Sequence, residues 1–317
     1  MIHVEIDNVN SEDYQKLAKL MIDTRKGTVL ESTKSMQEIV ESIKTLAAND
    51  AFRMLIARNE QGDIVGWTYY YIAIPLMSFI SGFFPIVDKT EDMDSIAVSL
   101  IEAGKQEILE RNHTRLEIEL ELHTDAHRSL SESLVDWYKK AGFKFAAEEM
   151  HMSADLTSVE LPHLELPSDY ILKEFSDVPI DLLIHSGYEI FNDSMEDLFR
   201  SMSHEEKRVN LEYWFDKSKP FHDGASLVLM EEEKIIGFII AKPDDDEIEI
   251  GPVGIIRKAR GQRLGTILLG TVLRTLKEEG VEIVSLDTSL SNSLSQNLYT
   301  KYGFKPAYHK QFYYWST

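Results

Sequence analysis

Along this chain, short segments with alternating apolar and polar positions take turns with longer segments whose apolar residues recur every three or four positions. The first kind predicts strands and the second amphipathic helices. Their alternation predicts an α/β fold with helices on the faces of a sheet. IHVEID at 2–7 reads as an entry strand, Ser11–Arg25 as a polar helix and MLIARNEQGDIVGW at 54–67 as a hairpin. YILKEFS at 170–176 again reads as an entry strand, Pro179–Phe191 as a helix and LVLMEEEKIIGF at 227–238 as a hairpin. Glu247–Ile256 is then a predicted strand, Gly261–Glu279 a helix and Val281–Thr288 a strand. In that helix Leu264, Ile267, Leu268, Thr271, Val272 and Thr275 share one stripe, and Gly280 marks its end.

The same landmarks therefore occur twice and in the same order, which marks an internal repeat. A third pair completes it: Trp137, Tyr138, Gly142 and Phe143 match Leu298, Tyr299, Gly303 and Phe304. Between the copies lies VELPHLELPSD at 159–169, with two prolines and neither period, which reads as a linker. A chain of 317 residues fits two domains of about 150 each. The expected division is 1–157, a linker at 158–169, and 170–317.

The turn before the long helix, RKARGQRLGT at 257–266, changes the picture from fold to chemistry. It gathers Arg257, Lys258, Arg260 and Arg263 around Gly261 and Gly265 at the start of an apolar helix. The first turn of a helix leaves backbone N–H groups open, and its dipole favours an anion there. Cations at that end are unfavourable by about 0.3–1 kcal/mol, so their concentration points to a bound anion. The equivalent turn of the first repeat, PIVDKTEDMDS at 85–95, has no glycine and carries Asp88, Glu91, Asp92 and Asp94. Those carboxylates repel phosphate, so one anion site is expected, in the second repeat.

Residues Val253–Thr266 resemble the coenzyme A motif of the GNAT superfamily of N-acetyltransferases: Arg or Gln, two residues, Gly, one residue, then Gly or Ala. The pattern falls on Arg260, Arg263 and Gly265, with Arg263 standing where the family has glycine. A second signature of the family is Asn292, then Tyr299, then Gly303 and Phe304; the first repeat has Ser131 and Tyr138 at the corresponding places. The resemblance implies two tandem GNAT (acyl-CoA N-acyltransferase) domains, each a mixed, mostly antiparallel sheet flanked by helices, the first degenerate. That architecture is similar to mycothiol synthase. It also implies acetyl-CoA as co-substrate. Backbone amides of Arg260, Gly261, Gln262, Arg263, Leu264, Gly265 and Thr266 would hold the pyrophosphate. Backbone groups around Val253, Ile255 and Ile256 would pair with the pantetheine arm, Asn292 would contact it, and Tyr299 would lie near the thioester sulfur.

Acetyl transfer to an amine needs a neutral amine, a stabilised oxyanion and a proton for the departing thiolate. Tyr299 suits the last role; its alternative is aromatic packing under the Gly-Phe corner. Glu249 has the spacing of the glutamate base in the histone acetyltransferase branch, and alternates with Glu247 along one strand face. A solvated acidic face is the alternative. His309 is a weaker candidate base. The expected reaction is direct transfer to a primary amine through a tetrahedral intermediate. The rival is a non-catalytic acetyl-CoA sensor or scaffold whose first domain docks a partner.

Composition narrows the partners. With 54 acidic and 33 basic residues the net charge is −21, which argues against nucleic acid or an anionic membrane and is compatible with a cationic acceptor. Glu189, Asp193, Glu196 and Asp197 either wall an amine pocket or form a solvated helix face. There is no cysteine, which excludes disulfides, thiolate zinc sites and a Cys nucleophile. No His/Asp/Glu spacing suggests a metal site, so none is expected. The most apolar stretch, Tyr69–Val87, contains Pro75 and Pro85 and reads as two strands rather than a membrane span. MIHVEIDNVNSEDY lacks the basic and apolar regions of a signal peptide, so the cytoplasm is the expected location, and a homodimer is compatible.

Overall fold

The computed structural model describes residues 2–317 apart from Ser81, His163, Asp245 and Asp246. The chain forms two compact units: one runs to Ala146 and includes Lys310–Thr317, the other is Ala147–His309. The first carries β1 (His3–Ile6), α1 (Asp13–Arg25), α2 (Met36–Ala47), β2 (Phe52–Arg58), β3 (Ile64–Ile74), β4 (Met77–Ile80), β5 (Ile86–Val87), α3 (Met93–Glu110), β6 (Arg115–Leu122) and α4 (Asp125–Lys140). Strand β7 (Lys144–Asp155) starts there and ends in the second unit. The second unit continues with β8 (Ile171–Glu174), α5 (Ile180–Asn192), α6 (Asp197–Arg200), α7 (His204–Trp214), β9 (Leu227–Glu231), β10 (Lys234–Asp244) and β11 (Glu247–Ile255). It closes with α8 (Leu264–Glu278), β12 (Ile283–Ser289) and α9 (Ser293–Lys301), and β13 (Lys305–Ser316) returns to the first unit.

Each unit has the mixed, mostly antiparallel sheet with flanking helices expected from the sequence. In the first the order is β1-β2-β3-β4-β6-β13, with β4 and β6 parallel. In the second it is β7-β12-β11-β10-β9-β8, with β11 and β12 parallel. The stripe of α8 buries Leu268, Leu269, Val272, Leu273 and Leu276 against Ile239, Ile248, Ile250, Val284 and Leu286. Burying each such side chain is worth about 1.5–3 kcal/mol, which fixes α8 on one sheet face. Neighbouring strand positions point the other way, so Phe238 meets Phe191 and Phe215 beneath α5 and α7.

The unit bounds differ from the 1–157 and 170–317 expected from the sequence. The reason lies in β7, where Met152 and Ala154, with Leu156 just beyond, alternate into the α8 core of the second unit. The described residues of 158–169 carry no helix or strand, and Lys277 Nζ donates to Val159 O at 2.7 Å. No helix among the described residues is long and apolar enough to cross a membrane.

Candidate active site

Strands β11 and β12 pair only at Ile248↔Val284 and Glu249↔Ser285. Beyond that point β12 follows β7 to Ser289↔Glu149, while β11 follows β10 to Ile255↔Gly237. The two parallel strands therefore part after Glu249. Ile256 N–H donates to Ile236 O at 2.9 Å, so by antiparallel alternation Gly254 also faces β10. Val253 and Ile255 turn their N–H groups the other way, into the gap. At Ile256 the N–H is committed to Ile236, and the carbonyl accepts from Ala259 N–H at 3.1 Å, which leaves its second lone pair as the backbone site for a ligand there.

The turn after β11 opens the N-terminus of α8 rather than closing it. Gly261 has φ 83° and Arg263, the residue before the helix, has φ 62°. No side chain caps α8. Its first-turn amides at Leu264, Gly265 and Thr266 lack intrahelical acceptors by the geometry of any helix start. A Cβ on Gly261 would meet nothing within 4 Å, and one on Gly265 would meet Ile255 and Leu298 at 3.6 and 3.9 Å. The positive φ of Gly261 itself favours glycine there, whereas at Gly265 neither backbone nor packing demands it, which fits a group approaching the backbone from outside. From within, Tyr302 OH donates to Thr266 O at 2.7 Å and holds the first turn in place. Gln262 Oε1 accepts from Tyr170 OH at 3.2 Å.

The four cations of the turn divide into two pairs. Arg260 donates through Nε to Ile255 O at 2.9 Å, through Nη1 to Asp193 O at 3.1 Å and through Nη2 to Ile190 O at 3.3 Å. Its guanidinium is a clamp binding the turn to β11 and to the C-terminal end of α5, where a cation is favoured by the dipole. Arg257 reaches the Asp193 carboxylate at 3.1 Å. Lys258 and Arg263 remain exposed beside the α8 start. Arg257 and Arg260 thus reach toward the end of α5 and β11, whereas Lys258 and Arg263 stand at the helix start itself.

At the far side of the gap, Asn292 caps α9 by accepting from Ser295 N–H at 3.2 Å and donates Nδ2 to Glu196 Oε1 at 3.1 Å. Tyr299, two turns further along α9, is 7% exposed and packs on Phe304. Burial pushes its phenol well above the ordinary value, the nearby Glu196 carboxylate adds to this, and Ser295 pulls the other way. Burial likewise raises the Glu196 carboxyl, against the hydrogen bonds from Asn292 and the Ser289 backbone. Of the four acidic residues that left pocket or solvent open, the structure brings Glu196 to the expected Asn292 and Tyr299. No sequence signal singled it out from Glu189, Asp193 and Asp197.

The sheet face opposite α8 is polar around the gap. Glu247 accepts from Ser285 Oγ at 2.7 Å, and His151 Nδ1 bonds Asp287 at 2.7 Å while its ring stacks on Tyr308. Glu249 faces Lys242 across the β10–β11 pair. Burial pushes the Lys242 ammonium down and the Glu249 carboxylate draws it back up. His309 is paired with Glu148 at 3.1 Å. No group of three or more potential metal ligands occurs among the described residues.

The first unit uses the same positions for structure. Asp92 caps α3 by accepting from Ser95 N–H at 3.2 Å, and Asp94 ties down Trp137 Nε1 at 2.7 Å and Lys140 at 2.6 Å. Tyr138 OH, fully buried, donates to Phe84 O at 2.8 Å, and Ser131 Oγ turns back to Arg128 O at 2.7 Å.

Residues 186–304 match the model of the Acetyltransferase (GNAT) family. A mycothiol acetyltransferase from Nocardia farcinica is 29% identical over 175 residues, 53% of this chain and 56% of that protein. A ribosomal-protein alanine N-acetyltransferase from Haemophilus influenzae is 38% identical over 79 residues, 25% of this chain and 53% of that protein. The chain thus spans about half the length of these curated relatives. A GCN5-related N-acetyltransferase structure from Sphaerobacter thermophilus covers 99% of this chain and 95% of its own at TM-score 0.60 and 16% identity. A tandem GNAT protein from the clavulanic acid biosynthesis pathway covers 99% and 98% at TM-score 0.56 and 14% identity. At these identities the likeness is one of fold.

Proposed function

We propose, from the match of residues 186–304 to the Acetyltransferase (GNAT) family model, that the second unit moves the acetyl group of acetyl-CoA directly to a primary amine. The carrying observation is the contrast between two helix starts: α3 is capped by Asp92, whereas α8 is uncapped and flanked by Lys258 and Arg263. An uncapped helix start with nearby cations suits a pyrophosphate. The open edge at Val253 suits an amide-bearing arm added like a further strand, which leaves the Ile255 N–H for the acetyl oxygen.

In this reading the amine nitrogen attacks the acetyl carbon in the gap beyond Glu249. The N–C bond forms, the carbonyl oxygen gains negative charge facing the Ile255 N–H, and the C–S bond then breaks. The proton leaving nitrogen goes to Glu249, directly or through water, and the thiolate takes one from Tyr299. Burial keeps the Tyr299 phenol protonated at neutral pH. The same dry surroundings raise the basicity of a thiolate formed beside it, so the two groups remain matched. The first unit supplies no second site in this proposal.

The test is thiol release from acetyl-CoA with a pool of primary amines. Amine-dependent release is expected. Calorimetric binding of acetyl-CoA without release in any pool would replace this reading with a non-catalytic one.

A further inference from the structure

We propose that Glu196 is the acceptor-binding residue, its carboxylate receiving the ammonium group of an aliphatic primary amine beside Tyr299. The proposal rests on the acetyltransferase reading above and adds the charge class of the acceptor.

The argument is one of uncompensated charge. Glu196 stands between α5 and α6, and its carboxylate is turned in against the end of β12. Its hydrogen-bond donors there are the Asn292 amide at 3.1 Å and the Ser289 backbone N–H. Both are neutral. The charged neighbour acting on it is Asp197, a like charge, and no cation contributes. The cations nearby are spent elsewhere: Arg257 on Asp193, Arg260 on three carbonyls, and Arg200 beside Asp197 at 3.6 Å. Among the described residues Glu196 enters no ion pair. A carboxylate turned into the protein and half-buried without a cation is costly, and this desolvation does push it up from its ordinary range. Such a group persists where a ligand completes it. Its place decides which ligand, because Asn292 and Tyr299 are the residues assigned to the pantetheine and the thioester. The ammonium held there gives up one proton to water, and the neutral amine so formed is the incoming nucleophile. An arylamine or alkoxyamine, neutral near pH 7, leaves the charge uncompensated, so the favoured acceptors are alkylammonium compounds.

Glu196→Gln isolates the charge, because the amide oxygen still accepts from Asn292 and Ser289. Steady-state rates of the full-length protein are compared for aliphatic primary amines (n-butylamine, cadaverine, glucosamine) and for O-methylhydroxylamine, a small nucleophile that is neutral at pH 7. We expect KM for the aliphatic amines to rise about 10-fold or more. KM for O-methylhydroxylamine and Kd for acetyl-CoA should stay within about three-fold. The ligand-free variant should melt higher than the parent, since an unpaired buried charge is gone. A purely structural Glu196 would instead lower Tm and raise both KM values alike; that result, or no change in any KM, overturns the proposal. If no amine is turned over, calorimetry of n-butylamine with the CoA-loaded protein decides independently. Weaker binding by Glu196→Gln upholds the ammonium site even though the transfer reading fails, and equal binding, or none by the parent, removes it.

Discussion

At position 263 an arginine holds φ 62°, a left-handed conformation that costs a side-chain-bearing residue about 1–2 kcal/mol. The family pattern places glycine there, and the dihedral explains why: the turn needs the conformation, and the side chain is a separate choice. Arg263→Gly relieves that strain but adds about 0.5–1 kcal/mol of chain entropy cost. Thermal denaturation should therefore move by less than about 1 kcal/mol. Arg263→Val, which suits φ 62° worst, should lose about 1–2 kcal/mol in the same measurement. Tyr299→Phe keeps the ring and removes the proton. Acetyl-CoA binding should persist while kcat falls roughly 10²–10⁴-fold, and a kcat within about a factor of three would hand the proton to another group. Asp13 gives a pH prediction. Burial pushes its carboxyl up, but the Arg58 bond at 2.7 Å, the Asn10 backbone N–H and the charges of Arg58 and Lys16 together outweigh this and hold it below the ordinary carboxylate value. The folded value being lower, its contribution is present above the ordinary carboxylate range and is lost as pH falls through it. Asp13→Asn should flatten the acid limb of a Tm–pH curve below about pH 4.

The elements carry their own contrasts. Asp92→Ala uncaps α3 and should cost about 1 kcal/mol by denaturant titration, with acetyl-CoA binding untouched. Arg260→Ala releases the turn from Ile255, Asp193 and Ile190, so the α8 start loses its fixed place. Calorimetry should then find acetyl-CoA about 10-fold weaker or more, and an unchanged affinity would separate this clamp from binding. Helix α8 was legible from its stripe and its glycines; Tyr299 and Asn292 drew attention by their spacing, and the roles given to them belong to the proposal above. The function of Arg260 was not, because its three carbonyl partners come from chain segments 5, 67 and 70 residues away. Glu196 could not be told from Glu189, Asp193 and Asp197 for the same reason, since Asn292 lies 96 residues away. Helices α2 and α7 could have been read from Ser35 with Glu38 and Ser203 with Glu206, capping boxes that sequence reasoning passed over.

For the whole molecule, the repeat in the sequence announced two similar folds but misplaced the seam. Residues 147–157 read as the end of the first copy, yet Met152, Ala154 and Leu156 belong to the α8 core. Alternation alone identifies a strand without saying which sheet it joins. A fragment 168–317 therefore lacks the antiparallel partner of β12 and three core side chains. It should aggregate on size-exclusion chromatography, whereas a fragment beginning at 147 should show cooperative melting. Equal behaviour of the two would mean that the strand is dispensable.

The course of β7 and β13 has a consequence for how such a chain can be remodelled by recombination. A crossover in the proline-bearing linker, the obvious joint between the two sequence copies, gives each descendant a β7 inherited with one copy and a β12 inherited with the other. Their contact, Ile283↔Asp155 through Ser289↔Glu149, must then be re-evolved as a pair. Exchange of a coherent unit instead requires two breakpoints, one near Ala146 and one near His309. The copies are thus inherited as a linked pair, free to diverge in chemistry and constrained to stay together.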